Sequence, residues 1–179
     1  MRQHQGFTLI ELLLVMAIIG VLAAIALPGL IRARQSGNET SAIGSIRAVH
    51  SGETAYASTC ASGGYAQSNA DLGKPPVGGL PFIGPDLEQA DQVGRGKSGY
   101  LVTIADNADA TNRDVGLAAN TCNGSAANPR MNYFVGADPI MRGETGGRSF
   151  GSDRRSTIYF SNTAVVANPI PAAFPDYVQ

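Results

Sequence analysis

Gly6-Phe7-Thr8-Leu9-Ile10-Glu11 opens an apolar stretch that continues to Ile31. From Phe7 to Ile31 the stretch has 25 residues and one charged side chain, the carboxylate of Glu11. An α-helix rises about 1.5 Å per residue, so a helix of this length is roughly 37 Å long and can cross a hydrocarbon core of about 30 Å. The sequence therefore predicts a helix that enters a membrane.

The carboxylate of Glu11 needs an explanation within this helix. A charge inside a membrane segment costs about 2.5–3.5 kcal/mol on insertion scales, and it is normally retained because it has a partner or a function. Within the segment the sequence offers Glu11 no partner. The nearest basic residues flank it: Arg2, His4, Arg32 and Arg34. Cleavage after Gly6 would create a partner, since the α-amine of Phe7 would then lie one helical turn from Glu11.

Two plainer interpretations of the stretch stay open. A secretory signal peptide would use Arg2 as its basic start and Ala24-Ile25-Ala26 as its small-x-small cleavage site. A simple membrane anchor is the second alternative. Both leave Glu11 unexplained, and the apolar region from Leu12 to Ala26 is at the long limit for a signal peptide.

The string GFTLIELLLVMAIIGVLAAIALP, residues 6–28, resembles the processing and assembly motif of type IV pilins and of type II secretion pseudopilins. The resemblance implies that Gly6 ends a cytoplasmic leader and that Phe7 becomes the methylated N-terminus. It also implies that Glu11 pairs with the Phe7 amine of another subunit during assembly. Pro28 lacks an N–H donor and would interrupt the helical hydrogen bonds, with an ordinary kink at the membrane surface as the alternative.

The only two cysteines, Cys60 and Cys122, both follow the helix. A single pair is typical of an oxidising compartment. A disulfide closing this loop of about 60 residues would stabilise the fold by about 4 kcal/mol in the chain-entropy model. Two free cysteines are the alternative, because spacing alone does not establish pairing.

Length and composition indicate one small domain on a helical stalk. The chain has 179 residues, of which 15% are charged, and the part after the helix is long enough for one modest core. We predict four segments: a leader over 1–6, a membrane and assembly helix over 7–31, an amphipathic half of the stalk over 32–58, and a globular head over 59–179. The net charge of −1 makes nucleic acid an unexpected specific ligand.

The helical pattern continues beyond Pro28 to about Ser58. Four large residues recur at spacings that share one helical face: Ile43, Ile46, Val49 and Tyr56. Glycines interrupt this face, and since each costs roughly 1 kcal/mol in a solvated helix, they predict close packing against a neighbour. Those glycines are Gly37, Gly44 and Gly52. The alternative is that Ser36-Gly37-Asn38 ends the first helix.

The head predicts a small antiparallel sheet with long loops, which gives an α+β fold. Strand-like segments lie at 98–105, 132–137 and 156–161, with a fourth around 148–150, and short helical turns are expected at 69–72 and 85–93. The head also resembles, more loosely, the C-terminal half of a bacterial pilin-like group. Where that group has Asp-x-x-Gly, this chain reads Asp153-Arg154-Arg155-Ser156, and the proline-rich tail is expected to be an extended surface segment.

No enzymatic pattern is visible, and we predict neither catalytic residues, metal nor cofactor. The two histidines, His4 and His50, stand apart from any recognisable nucleophile or carboxylate spacing, and His50 is expected on the solvated side of the helix. The acidic loop 106–114 lacks the ligand spacing of an EF-hand, so a solvated turn is favoured over a calcium site. Two glycosylation triplets, at Asn38 and Asn123, carry no conclusion.

The resemblance implies a structural pilin, made as an inner-membrane precursor and then built into an extracellular filament of identical subunits. Its implied partners are a prepilin peptidase and methyltransferase, an inner-membrane assembly platform, and the membrane before assembly. The first alternative is a pseudopilin of a type II secretion system that forms a periplasmic piston. The second is an anchored or secreted domain that forms no filament.

Overall fold

The computed structural model describes residues 7–172 and 176–178 of the chain. These residues form one long helix, two short helices, a 3₁₀ turn and a five-stranded sheet. The elements are α1 (Leu9–Thr59), α2 (Asn69–Gly73), α3 (Pro85–Glu88), β1 (Tyr100–Asp106), the 3₁₀ turn (Ala118–Asn120), β2 (Tyr133–Pro139), β3 (Ser149–Asp153), β4 (Ile158–Ser161) and β5 (Tyr177–Val178). The chain divides into two compact units, Met1–Arg34 and Gln35–Gln179.

Helix α1 is continuous from Leu9 to Thr59. Pro28 removes one backbone donor, but the helix continues past it, and it also continues through Ser36-Gly37-Asn38, so the alternative of an early helix end is wrong. Leucine and alanine, which favour helices, make up nearly half of its first half, residues 9–34. At its other end the N–H of Gly63, at a φ of 91°, donates to the carbonyl of Ala57 at 2.8 Å and closes the last turn.

The five strands form an antiparallel meander in the order β1-β2-β3-β4-β5. Ile104 pairs with Val135, Gly136 with Gly151, and Phe150 with Phe160. The predicted α+β class, a long N-terminal helix with a small antiparallel sheet, is confirmed.

Strands β1 and β4 each begin two residues later than the sequence predicts, because the backbone before them has a left-handed conformation. Ser98 and Gly99 have φ values of 50° and 75°, and Ser156 has a φ of 60°. Those left-handed conformations are incompatible with a strand. Strands β1 and β4 therefore begin at Tyr100 and Ile158.

The tail was expected to be an extended surface segment, but its last described residues form a strand. Tyr177 and Val178 form β5, which pairs with Tyr159 and Ile158 of β4. The N–H of Phe160 also donates to the carbonyl of Asp176 at 3.1 Å. An extra strand here pairs backbone groups of β4 that an edge strand would leave open.

The core of the head lies between the second half of α1 and the sheet. Fully buried side chains from both sides meet there, including Ile46, Val49, Tyr56, Val102, Val135 and Phe150. Gly52 is required by close packing, because a Cβ there would lie 2.7 Å from the carbonyl oxygen of Phe82. Gly37 and Gly44 have no atom within 4 Å of an added Cβ among the described residues, so of these three helix glycines only Gly52 is closely packed.

Candidate assembly site

The first turn of α1 is closed by reciprocal hydrogen bonds between Thr8 and Glu11. The Thr8 N–H and hydroxyl donate to Oε2 of Glu11 at 2.9 and 2.6 Å, and the Glu11 N–H donates to the Thr8 hydroxyl at 3.3 Å. This is a capping box, in which a threonine before the helix and a glutamate three residues later satisfy each other's free backbone donors. The carboxylate is thus held at the positive end of the helix dipole.

Thr8 corrects the expectation that Glu11 has no partner within the apolar segment. The prediction considered only basic residues as partners of Glu11. The Thr-x-x-Glu spacing is the sequence signal that would have indicated Thr8. Phe7, beside this turn, is 81% exposed. Gly6, the expected cleavage position, lies outside the described residues.

The helix surface that follows Glu11 is apolar and exposed. Every large hydrophobic side chain from Phe7 to Ile31 is exposed in the single chain. By length and composition α1 is long and apolar enough to cross a membrane. An exposed apolar surface of this extent requires a membrane or a protein partner to cover it.

In the second unit, α1 is clasped to the turn between β2 and β3. The carboxylate of Glu39 accepts hydrogen bonds from the Gly147 and Arg148 N–H groups at 3.0 and 3.2 Å, and from the Arg148 guanidinium at 2.7 and 2.9 Å. The Asn38 amide donates to the carbonyl of Thr145 at 2.8 Å. This clasp engages Asn38 of the first glycosylation triplet, and nothing in the sequence marks Glu39 as its centre.

The predicted disulfide between Cys60 and Cys122 is present, and it joins the end of α1 to the loop before β2. Beside it, the amide of Asn123 donates to the carbonyls of Asp71 and Lys74 at 2.7 and 3.0 Å. Asn123, the second glycosylation triplet position, is buried, so its amide is part of the head's interior.

His50 is buried, contrary to the expectation of a solvated side chain. The Ser152 hydroxyl donates to the carbonyl of Thr157 at 2.7 Å, so its oxygen accepts from Nε2–H of His50 at 2.9 Å. That leaves Nδ1 to accept the hydroxyl proton of Tyr133. Burial lowers the pKa of His50 and keeps the imidazole neutral, with the Asp153 charge opposing this shift.

Glu53 is a second buried titratable group on α1. It is fully inaccessible, and its Oε2 accepts the Ala66 N–H at 2.9 Å, while Oε1 has no hydrogen-bond partner among the described residues. Burial raises the pKa of Glu53 well above its usual value, despite the bond from Ala66, and the charge of Asp71 raises it further. Burial therefore favours the neutral, protonated form of this side chain.

The acidic loop after β1 is engaged by protein groups. Asp106 forms an ion pair with Arg130 and accepts the Asn112 amide at 2.7 Å, and Asp109 accepts the Thr111 N–H and hydroxyl at 2.8 Å each. Among the described residues no group of three or more metal-ligating side chains is assembled.

Comparison with known proteins places these features in context. Residues 1–27 match the family described as "Prokaryotic N-terminal methylation motif". A curated relative from Thermus thermophilus, "Type IV wide pilus major component PilA4", is 58% identical over 40 residues, which are 22% of this chain and 30% of that protein. Another from Myxococcus xanthus, "Type IV major pilin protein PilA", is 39% identical over 54 residues, 30% of this chain and 24% of that protein.

The chain thus spans less than a third of the length of each of these relatives. No solved structure matches it significantly. The described residues combine an apolar N-terminal helix, long enough to cross a membrane, with a small antiparallel head. The match to the methylation motif and the two relatives show that parts of this chain are similar to type IV pilins.

Proposed function

We propose that the chain is the structural subunit of a type IV pilus-like filament, cleaved after Gly6, N-methylated at Phe7 and polymerised through its N-terminal helix. The observation that carries this proposal is the exposed apolar surface of α1 from Phe7 to Ile31, which holds one carboxylate, Glu11, in its first turn. Lipid covers this surface in the precursor, and neighbouring copies of the helix cover it in the filament.

Glu11 sets the position that each subunit takes relative to its neighbour during assembly. A carboxylate that enters an apolar bundle without a counter-charge is strongly disfavoured, whereas pairing with the Phe7 amine of a neighbour offsets its desolvation. The bonds from Thr8 hold the carboxylate at the start of the helix, where a second terminal amine can approach it. Pro28, which lacks a backbone donor, marks the position where the helix can bend or locally melt.

The precursor is processed by a prepilin peptidase and methyltransferase in the inner membrane and is then taken up by an assembly platform. Residues 1–6 form the leader, 7–31 the membrane and assembly helix, 32–58 the rest of the stalk, and 59–179 the head. The disulfide between Cys60 and Cys122 is consistent with export of the head. Both relatives are named as pilus components, which favours an extracellular pilus over a secretion pseudopilus.

The test is the intact mass of the protein in the fraction sheared from cells and in the membrane pellet. We expect a sheared chain that begins at methylated Phe7. A Gly6→Glu variant is the processing control. We expect it to stay in the membrane with the mass of its uncleaved precursor. A mature chain confined to the pellet would support the pseudopilin alternative, and a chain that begins at Leu27 would show a signal peptide instead.

A further inference from the structure

A cavity of about 470 Å³ opens on the surface of the head near the end of α1. Its lining combines basic, acidic, aromatic and apolar side chains, among them Tyr65, Arg113, Asp114, Val115, Met131 and Arg154. The volume lies within the range of about 300–1,000 Å³ that is usual for small-ligand sites. The assembly helix contributes no residue to it.

The walls of this cavity are held by backbone hydrogen bonds between three segments. Tyr65 and Arg130 exchange N–H donors and carbonyls at 2.8 and 3.2 Å. The Val115 N–H donates to the carbonyl of Pro129 at 2.8 Å, and the Met131 N–H donates to that of Arg113 at 3.0 Å. These bonds fix the backbone positions from which the side chains of the cavity extend.

The cationic groups of the cavity lack counter-ions. Within residues 7–172 and 176–178, the guanidinium groups of Arg113 and Arg154 form neither a hydrogen bond nor an ion pair. The one carboxylate in the lining, Asp114, is already engaged, because it accepts Arg130 Nε at 3.1 Å and the Asn128 amide at 2.8 Å. Arg154 acts on nearby Asp109 only through its charge, as a minor cause of the lowered pKa of that carboxyl beside the hydrogen bonds from Thr111.

The cavity therefore offers donors and apolar contact, and its side-chain acceptors are the Asp114 carboxylate and the hydroxyls of Ser62 and Tyr65. The hydroxyl of Tyr65 forms no hydrogen bond within the described chain, and the side chains of Val115 and Met131 add an apolar wall. A guanidinium group binds a carboxylate through two parallel N–H donors. A ligand that carries a carboxylate, hydroxyls and an apolar face would match this lining.

We propose that this cavity binds an acidic sugar unit of a glycan, with its carboxylate on Arg113 and Arg154. The other arginines at this end of the sheet are neutralised, because Arg130 pairs with Asp106 and Asp114, and Arg155 pairs with Asp153. Nucleic-acid binding requires several phosphate contacts along a basic stripe, whereas in the described part of the chain only these two unpaired arginines line the cavity. A single-charge sugar matches the available charge better than a phosphodiester backbone.

The test measures binding to the full-length chain, purified in detergent micelles, by isothermal titration calorimetry. The probes are sialyllactose and a galacturonate trimer, with lactose as the neutral control that lacks the acidic sugar. We expect at least one acidic probe to bind and lactose not to bind. The double variant Arg113→Gln/Arg154→Gln should weaken that binding by about tenfold or more.

Arg47→Gln is the matched control, since Arg47 is also exposed and lies on α1 away from the cavity. Its affinity should equal that of the unmodified chain. Val115→Glu places a negative charge in the lining and should abolish binding independently of the arginines. Failure of both acidic probes, equal binding of lactose, or full binding by the double variant would overturn the proposal. Binding of a short single-stranded oligonucleotide in place of the sugars, lost in the double variant, would also overturn it.

Discussion

The carboxylate of Glu39 and the guanidinium of Arg148 form an ion pair at 2.7 Å that joins α1 to the turn between β2 and β3. The Glu39 side chain is only 12% exposed, and it also accepts the N–H groups of Gly147 and Arg148. The same guanidinium lies over the rings of Phe150 and Phe160, at 5.6 and 5.3 Å from their centroids. One residue pair thus links the helix, the turn and the sheet.

Removal of this link should destabilise the head. Glu39→Ala leaves two backbone donors and a partly buried guanidinium without their acceptor, so we expect a loss of about 2–3 kcal/mol in the free energy of unfolding. Chemical denaturation of the full chain in detergent measures this change in the free energy of unfolding. Glu144→Ala is the matched control, because this exposed carboxylate in the same turn has no side-chain hydrogen bond among the described residues. Equal stability of the two variants would contradict the role of Glu39.

The disulfide should account for a large share of the stability of the head. Cys60 and Cys122 are separated by 62 residues, and closure of such a loop is worth about 4 kcal/mol in the chain-entropy model. Cys60→Ser and the double variant Cys60→Ser/Cys122→Ser should lower the denaturation midpoint equally, and a reductant should affect only the unmodified chain. An unchanged midpoint under reduction would show that the disulfide is dispensable.

Because Glu53 is buried, we expect the free energy of unfolding to decrease as the pH rises. Burial raises its pKa well above the ordinary value of 4.5, so the folded chain keeps a proton that the unfolded chain releases above that pH. The contribution is fully present below pH 4.5 and is lost as the pH rises towards the folded pKa. Glu53→Gln mimics the neutral acid and should flatten this dependence in thermal unfolding, whereas exposed Glu144→Gln should leave it intact. An unchanged slope in Glu53→Gln would contradict a neutral Glu53.

Because His50 is buried, we expect the opposite dependence of stability on pH in the range below pH 6.5. Burial lowers its pKa from 6.5, so below pH 6.5 the unfolded chain takes up a proton that the folded chain excludes. Stability should therefore fall as the pH decreases from 6.5 towards the folded pKa. His50→Gln, which keeps hydrogen-bonding groups but does not titrate, should reduce the fall in melting temperature between pH 7.5 and 5.5. If the variant shows the same fall, His50 is not its source.

Two substitutions at Glu11 separate capping from charge pairing. Glu11→Gln keeps an oxygen that can accept the Thr8 donors, and Glu11→Ala removes both the cap and the charge. We expect both variants to insert into the membrane and neither to form sheared filaments, because both lack the counter-charge for the Phe7 amine. Filaments from Glu11→Gln would show that the cap suffices, and filaments from both would refute this role of Glu11 in assembly.

The helix and most strands could be predicted because their signals are local. The apolar run from Leu9 gives a helix whatever surrounds it, and the β-branched and aromatic residues of β1 and β2 give strands. Strand starts were less accurate, because the positive φ at Ser98 and Ser156 is imposed by turns that their residue type does not announce. The two-residue strand β5 carries no periodicity, and its pairing with β4 depends on where the whole tail returns.

By itself, the sequence determined the apolar N-terminal helix, the position of Glu11 within it and the α+β class, since each depends on residues close together in the chain. Only the tertiary structure decided that His50 and Glu53 are buried and that Glu39 is the centre of the clasp. A helix face becomes interior or surface according to which strands pack on it. Tyr133 and Ser152 lie 83 and 102 residues from His50, and long-range contacts of this kind leave no local pattern to detect.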